Sequence, residues 1–382
     1  MDRRTFTAAA AAAALGASSA ASRAAANQAG RGRKLFWTSE TGYSNKAFAD
    51  RILPAPLDSG FRTVELYGQL HTIWCGSVIQ GEDGRYHMFA SAIPRGPGKS
   101  WVWDSVVVRA VSDTIDGSYK FADVVLPRRG KPYFDGLMTH NPTIHKCRDT
   151  YLLFYTGSNC SERRDSIMEG WRNKRIGLAI SKSVLGPWTR MDEPILSPRP
   201  GKWDSVITSN AAPCVHEDGS VILVYKSTPS GYRPKGEFDL DLRLGVATAD
   251  HYRGPYKRAA EDSILGLPGI KLDLEDAYIW KGRDGWYHML VKVFHAGWIL
   301  IGEMDGGLHA ISRNGVDWQF APNLRGYSRT VRWKDGTVTT QTRLERVQAF
   351  VKDGDPTHLF VATRAGGRDG ISGNVCLPLS RA

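Results

Sequence analysis

The sequence is short of the features that would tie it to a membrane, a metal or a redox couple. After its first 26 residues, no stretch of the 382 approaches the roughly 18 to 20 apolar residues that cross a bilayer, so no membrane partner is expected. Cysteine is scarce: Cys75, Cys147, Cys160, Cys214 and Cys376 are scattered with no CxxC pair, which removes zinc and thioredoxin-like motifs. An odd count leaves at least one thiol free, and no disulfide is expected. Acidic residues are the minority charge, 39 against 50 Lys and Arg, for a net charge of +11. The basic residues are spread along the chain, with short clusters only at RGRK (31–34) and PRRGK (127–131). No nucleic-acid module accompanies them, so the balance favours anionic ligands at most and nucleic acid is not an expected partner. No linker is visible, and nothing in the sequence speaks to oligomeric state.

What is present is ordinary globular composition, 42% hydrophobic and 23% charged, long enough to bury a large core. The opening MDRRTFTAAAAAAALGASSAASRAAANQA reads as an export signal: Arg3-Arg4-Thr5-Phe6 precedes a short, weakly apolar Ala-rich stretch and then small residues suited to cleavage. Paired arginines point to the twin-arginine (Tat) route. Residues 1–26 are therefore expected to be a signal peptide, and 27–382 a single periplasmic or secreted domain.

An internal repeat sets the architecture. A strand, a tight Asp/Gly turn and a second aromatic-rich strand appear five times, as SVIQGEDGRYHMFAS (77–91), PTIHKCRDTYLLFYTGS (142–158), PCVHEDGSVILVYKS (213–227), AYIWKGRDGWYHMLVK (277–292) and VQAFVKDGDPTHLFVAT (347–363). The turn aspartates Asp83, Asp149, Asp218, Asp284 and Asp353 are 66, 69, 66 and 69 residues apart. A second half repeats as well, in VRAVSDTIDGSYKF (108–121), GLAISKSVLGPWTR (177–190), GVATADHYRGPYKR (245–258) and LHAISRNGVDWQF (308–320). Period-two alternation rich in Val, Ile, Tyr, Phe and Trp favours strands, and Gly117, Gly186 and Gly254 supply turn conformations that Cβ-bearing residues resist. Four strands per unit predict an all-β, five-bladed β-propeller, with four-stranded antiparallel blades around a central channel. The fifth unit lacks an outer half, which part of 33–48 or of 61–68 is expected to complete.

In such a ring the first strand of each blade lines the channel, and its entrance is where ligands bind. The residues leading into these strands are polar: HTIWCG (71–76), FDGLMTHN (134–141), WDSVITSN (203–210), LDLEDA (272–277) and TRLER (342–346). Asp135 precedes Asn141 by six residues, as Asp204 precedes Asn210. Glu275, Asp276, Asp135 and Asp204 are the candidate catalytic residues, since crowded carboxyls split into a protonated acid and an ionised base, the pair that glycoside hydrolysis requires. Trp74, His140, Asn141, Asn210, Lys226, Lys292, His309, Glu345 and Arg346 are candidate substrate contacts. A divalent ion would fit the channel, but no ligand cluster specifies one, so no metal or other cofactor is expected.

The repeat and its acidic first strands resemble the five-bladed β-propeller glycosidases, the superfamily that holds glycoside hydrolase families 43, 62, 32, 68, 117 and 130. EDAYIW...DGWYHMLVK, THNPTIHK...YLLFYTGS with RIGLAISKSVLGPW, and TSNAAPCVHEDGSVILVYKS carry the likeness, over roughly residues 65–365. It implies an exo-glycosidase with three channel carboxylates: a base on blade one, a pKa-tuning acid on blade two and a proton donor further on. Where family 43 enzymes usually show Asp-Pro, this chain has Cys75-Gly76-Ser77-Val78, and blade two offers Asn141-Pro142. The resemblance thus gives the donor role to Glu275-Asp276, Glu275 for preference, and leaves the base to Asp135 or Asp204. The expected function is an exported, exo-acting glycoside hydrolase on a plant or algal oligo- or polysaccharide. A glycan phosphorylase or lyase on the same site, or a non-catalytic sugar-binding propeller, is the alternative.

Overall fold

The computed structural model describes residues 46–159, 167–229, 241–364 and 372–381; residues 1–26, where an export signal is expected, Cys160 and most of 33–48 lie outside them. Five antiparallel sheets follow one another. Blade one comprises β1 (Thr63–Leu66), β2 (Gln69–Gln80), β3 (Tyr86–Pro94), β4 (Val106–Ser112) and β5 (Lys120–Leu126), hydrogen-bonded in that order. Blade two is β6 (Met138–Cys147), β7 (Thr150–Ser158), β8 (Arg175–Ser181) and β9 (Thr189–Arg190). Blade three is β10 (Ser209–Val215), β11 (Val221–Ser227), β12 (Arg243–Ala249) and β13 (Lys257–Arg258). Blade four is β14 (Leu274–Lys281), β15 (Tyr287–Val293), β16 (Gly307–Ser312) and β17 (Gln319–Tyr327). After a small hairpin, β18 (Thr330–Arg332) with β19 (Val338–Thr340), blade five is β20 (Arg343–Lys352), β21 (Asp355–Arg364) and β22 (Ser372–Pro378). The first strands pack in the cyclic order β2, β6, β10, β14, β20 and back to β2, which makes the ring.

The predicted five-bladed propeller is what the chain forms, with two departures at its seam. Residues 63–66 pair with β2 rather than with blade five. The edge of blade five is instead covered by residues 51–61, through the antiparallel bridges Ile52 to Leu379 and Phe61 to Asn374. This stretch cannot form a regular fourth strand, because Pro54 and Pro56 have no N–H to donate. Gly60 permits the closest approach: its φ is +88°, and a Cβ there would stand 1.9 Å from the Asn374 carbonyl oxygen. The Asn374 side chain then accepts from the Gly76 N–H at 2.8 Å, tying blade five to blade one.

The repeated turn has a side-chain lock as well. In blades one and four the turn aspartate meets a buried histidine on the following strand, Asp83 with His87 and Asp284 with His288, at 3.0 and 3.1 Å. Cores form between blades rather than within them; one cluster joins Val224 and Val246 of blade three to Ile279, Met289 and Val291 of blade four. The four described cysteines are buried free thiols, and no helix among the described residues is long and apolar enough to cross a membrane.

Candidate active site

Each first strand carries an irregularity at one equivalent place. The registers jump between Trp74 and Ser77, His140 and Thr143, Ser209 and Ala212, Glu275 and Tyr278, and Glu345 and Gln348. In each case two residues oppose one on the neighbouring strand, which is a β-bulge. The bulged residues are Cys75, Asn141, Asn210, Asp276 and Arg346, all left-handed, with φ between 49° and 57°. Asn and Asp tolerate that conformation; Cys and Arg adopt it against a Cβ clash.

The bulges explain how adjacent residues serve one pocket. A regular strand would send Glu275 and Asp276 to opposite faces, whereas the extra residue re-aims one of them and both line the same cavity of about 490 Å³. Trp74 with Cys75 and His140 with Asn141 do likewise. Beneath the cavity the bulged side chains form a hydrogen-bonded circuit. The Cys75 thiol, held protonated by burial, donates to Asn141 Oδ1 at 2.7 Å; Asn141 Nδ2 donates to Asn210 Oδ1 at 2.9 Å; Asn210 Nδ2 donates to Asp276 Oδ1 at 2.5 Å. Asp276 Oδ2 accepts the Arg346 backbone N–H at 3.2 Å. The Arg346 guanidinium, fully buried, reaches across to the Ala211 and Asn141 carbonyl oxygens. Arg346 is therefore part of the floor and not of the lining, a correction to its expected place as a substrate contact.

Among the described residues three carboxyls meet at this pocket, and their surroundings separate them. Burial alone would raise Glu275, but Lys226 (2.8 Å to Oε2) and Lys292 (3.3 Å to Oε1) outweigh it and bring the carboxyl down to about 2. Asp276 goes the other way: burial and the Glu275 charge raise it against the pull of Arg346 and Lys226. Glu345 is anchored through Oε1 by Lys292 and by Arg343, at 2.5 and 3.2 Å, while its Oε2 has no hydrogen-bond partner among the described residues. His140 lines the pocket with Nδ1 bonded to Ser105 Oγ at 2.8 Å. Burial, then Lys174, holds it well below its ordinary range, so it is a neutral imidazole.

Asp135 and Asp204 are not in the pocket, which corrects their expected place beside Glu275. Each is fully buried in the approach to its blade, held by two arginines and a tyrosine. Asp135 accepts from Arg129, Arg190 and Tyr155 at 2.6, 3.2 and 2.7 Å. Asp204 accepts from Arg199, Arg258 and Tyr225 at 2.8, 2.9 and 2.9 Å. Their matched spacing to Asn141 and Asn210 reflects a repeated clamp between the first strand's approach and the blade's outer strand. His309 is also elsewhere: on β16, it packs against Phe48, Trp280 and His288 between strands. Lys292 sits below the lining, bound to Glu275 and Glu345, and Lys226 reaches the cavity with its ammonium already paired to Glu275. Neither is a solvated strand end.

Trp171 and Lys174, in a second part of the wall, were not singled out in the sequence. Trp171 and Lys174 follow β7 on a short helix (Ile167–Arg172) and its exit, facing Trp101 from a matching insertion after β3 (Trp101–Asp104). Phe294, Leu242, Ile93, Arg343 and Arg364 also line it. The available signal was the tryptophans of KSWVWDS and IMEGWRNK, which fall between second and third strands, outside the repeated units. No group of three or more His, Cys, Asp or Glu among the described residues is arranged to hold a metal ion.

Neither a protein-family model nor a curated protein matches the chain. Solved structures do resemble it. A family 117 glycoside hydrolase of the marine bacterium Zobellia galactanivorans superposes with a TM-score of 0.59 at 17% identity, over 86% of this chain and 90% of the other. A structure described as a glycoside hydrolase gives 0.61 at 16%, over 86% and 94%. The native arabinanase of Bacillus subtilis gives 0.52 at 14%, over 86% and 96%. At these identities the likeness establishes a shared five-bladed propeller fold.

Proposed function

We propose that the chain is a glycoside hydrolase acting at the mouth of its central channel, with Asp276 as proton donor and Glu345 as base. The observation that carries this reading is the division of three neighbouring carboxyls: one raised, one held ionised by two lysines, one anchored through a single oxygen with the other uncommitted. Glycosidic cleavage needs that division, a protonated carboxyl for the leaving oxygen and an ionised one for water or the anomeric carbon. Glu275 serves as the fixed charge that keeps Asp276 protonated, so the donor role moves from Glu275, preferred on sequence grounds, to its neighbour. The fold shared with glycoside hydrolases is consistent with this assignment. A floor closed by the bulge circuit favours exo-action on the end of an oligo- or polysaccharide. Trp74 would present an apolar face to the sugar, and His140, Asn141 and Asn210 its polar contacts. The chemistry assigned here uses side chains alone. A screen of defined oligosaccharides, with the anomer released followed by NMR, tests the reading; absence of turnover on every glycan would refute it in favour of a non-catalytic sugar-binding propeller, which Cys75 at the blade-one position favours.

We further propose that residues 1–26 direct export by the twin-arginine route and that 27–382 act as one catalytic domain in the periplasm or outside the cell. The Arg3-Arg4 pair ahead of an Ala-rich stretch supports this. Replacing both arginines by lysine should leave unprocessed protein in the cytoplasm, seen by fractionation; unchanged export would contradict it.

A further inference from the structure

The cations of the pocket do not have equal partners. Lys226 is bound to Glu275, Lys292 to Glu275 and Glu345, and Arg343 to Glu345. Lys174 has none of this. It is 1% exposed, it lines the cavity, and no carboxylate or other acceptor among the described residues takes its ammonium, which lies 3.8 Å from the centre of the Trp101 ring and 6.0 Å from that of Trp171. Its backbone is held in place: Arg175 donates to the Lys174 carbonyl at 2.7 Å, and so does the Thr208 N–H at 3.4 Å. Trp101 is fixed in turn, packed against Trp171, Ile207 and Leu242 with the His140 ring at 5.4 Å.

A desolvated ammonium packed on aromatic faces, with no hydrogen-bonded counter-ion among the described residues, is costly to keep charged, even with the more distant Glu275 and Asp276 charges favouring it. Burial first, and then the Lys226 charge, put this lysine well below the ordinary range. A counter-ion delivered by the ligand would remove that penalty, whereas a neutral hydroxyl would leave it. Resting on the reading of this cavity as a sugar site, we propose that the substrate carries an anionic substituent, a uronic acid carboxylate or a sulfate ester, and that Lys174 receives it on the wall formed by Trp101 and His140. The reacting centre then lies toward Asp276 and Glu345, and the anion fixes which end of the glycan enters.

The test is calorimetric titration of wild-type, Lys174→Met and Lys174→Arg proteins, using methyl glycosides of glucuronic acid, galacturonic acid and sulfated galactose with their neutral counterparts. The expected result is at least tenfold tighter binding of one anionic glycoside than of its neutral partner, with the preference lost in Lys174→Met and largely kept in Lys174→Arg. The uronate and sulfate arms show which anion is meant. No anionic preference in the wild type, no binding of any anionic member, or a preference that survives in Lys174→Met overturns the assignment. Should Lys174→Met not fold, the wild-type panel and Lys174→Arg still decide it. Product release on the same panel separates the two readings: hydrolysis of neutral glycosides alone removes the anion site and keeps the hydrolase, and anion binding without hydrolysis does the reverse.

Discussion

Replacing Asn141 by alanine should unlock the circuit beneath the pocket. Asn141 is the one side chain in it that both accepts from Cys75 and donates to the next asparagine, at 2.7 and 2.9 Å, and its φ is 49°. Alanine would leave Asn210 Oδ1 buried without its donor, a loss of about 2 kcal/mol, and would place a plain Cβ in left-handed backbone for about 1 kcal/mol more. Glycine at the same position leaves the same oxygen orphaned but relaxes the backbone. The expected order of stability is therefore wild type, then Asn141→Gly, then Asn141→Ala, with the alanine variant down by about 3 kcal/mol. Urea unfolding followed by tryptophan fluorescence reads this as a shift in midpoint at unchanged slope. An alanine variant within about 0.5 kcal/mol of wild type, or one more stable than the glycine variant, would refute the view that the bulges hold one another.

Removing the Glu275 charge should shift a pH profile. Asp276 is raised by burial and by Glu275 and acts in its protonated form, so kcat/KM falls as pH rises through its pKa; Glu275→Gln lowers that pKa, and the high-pH limb should move to lower pH. An unmoved limb in the rate profile would separate the two groups. Asp135→Asn should cost stability without disabling the site: two arginines lose a fully buried carboxylate, a loss of about 3 kcal/mol, while kcat on any glycan the wild type cleaves stays within a few-fold. A collapse of kcat at unchanged melting temperature would return Asp135 to the active site.

The ring of blades was legible because the turn aspartates recur at nearly constant spacing and strand alternation needs no tertiary information. The bulges were equally periodic, though less visible. Cys75, Asn141, Asn210 and Asp276 each precede their turn aspartate by eight residues, and Arg346 by seven. They differ in chemical type at every position but one pair, so a search for like residues passes over them. Glu275, Asp276 and Glu345 stood out as charges at the start of apolar strands. Asp135 and Asp204 misled for the same reason, since a repeated acid in a polar approach looks the same whether it faces a cavity or an arginine pair. Their partners Arg190 and Arg258 lie more than 50 residues away. Lys174 lies in an insertion between the second and third strands of its blade, outside the segments whose sequences repeat, so no repeat comparison reaches it. The seam was placed only in part: Phe61, within the expected 61–68, pairs with Asn374 of blade five, while the rest of the covering segment was missed because Pro54 and Pro56 hide a sheet edge behind a loop-like composition.

The assignment of Asp276 as proton donor is tested most directly by leaving-group dependence. With a glycan that the wild type cleaves, Asp276→Asn should lose about 10²- to 10⁴-fold in kcat/KM on the natural alkoxide leaving group and far less on the matching dinitrophenyl glycoside, whose leaving group departs without a proton. Glu345→Gln should lose heavily on both. An Asp276→Asn variant that cleaves both substrates at wild-type rates, or loses equally on both, would contradict the account.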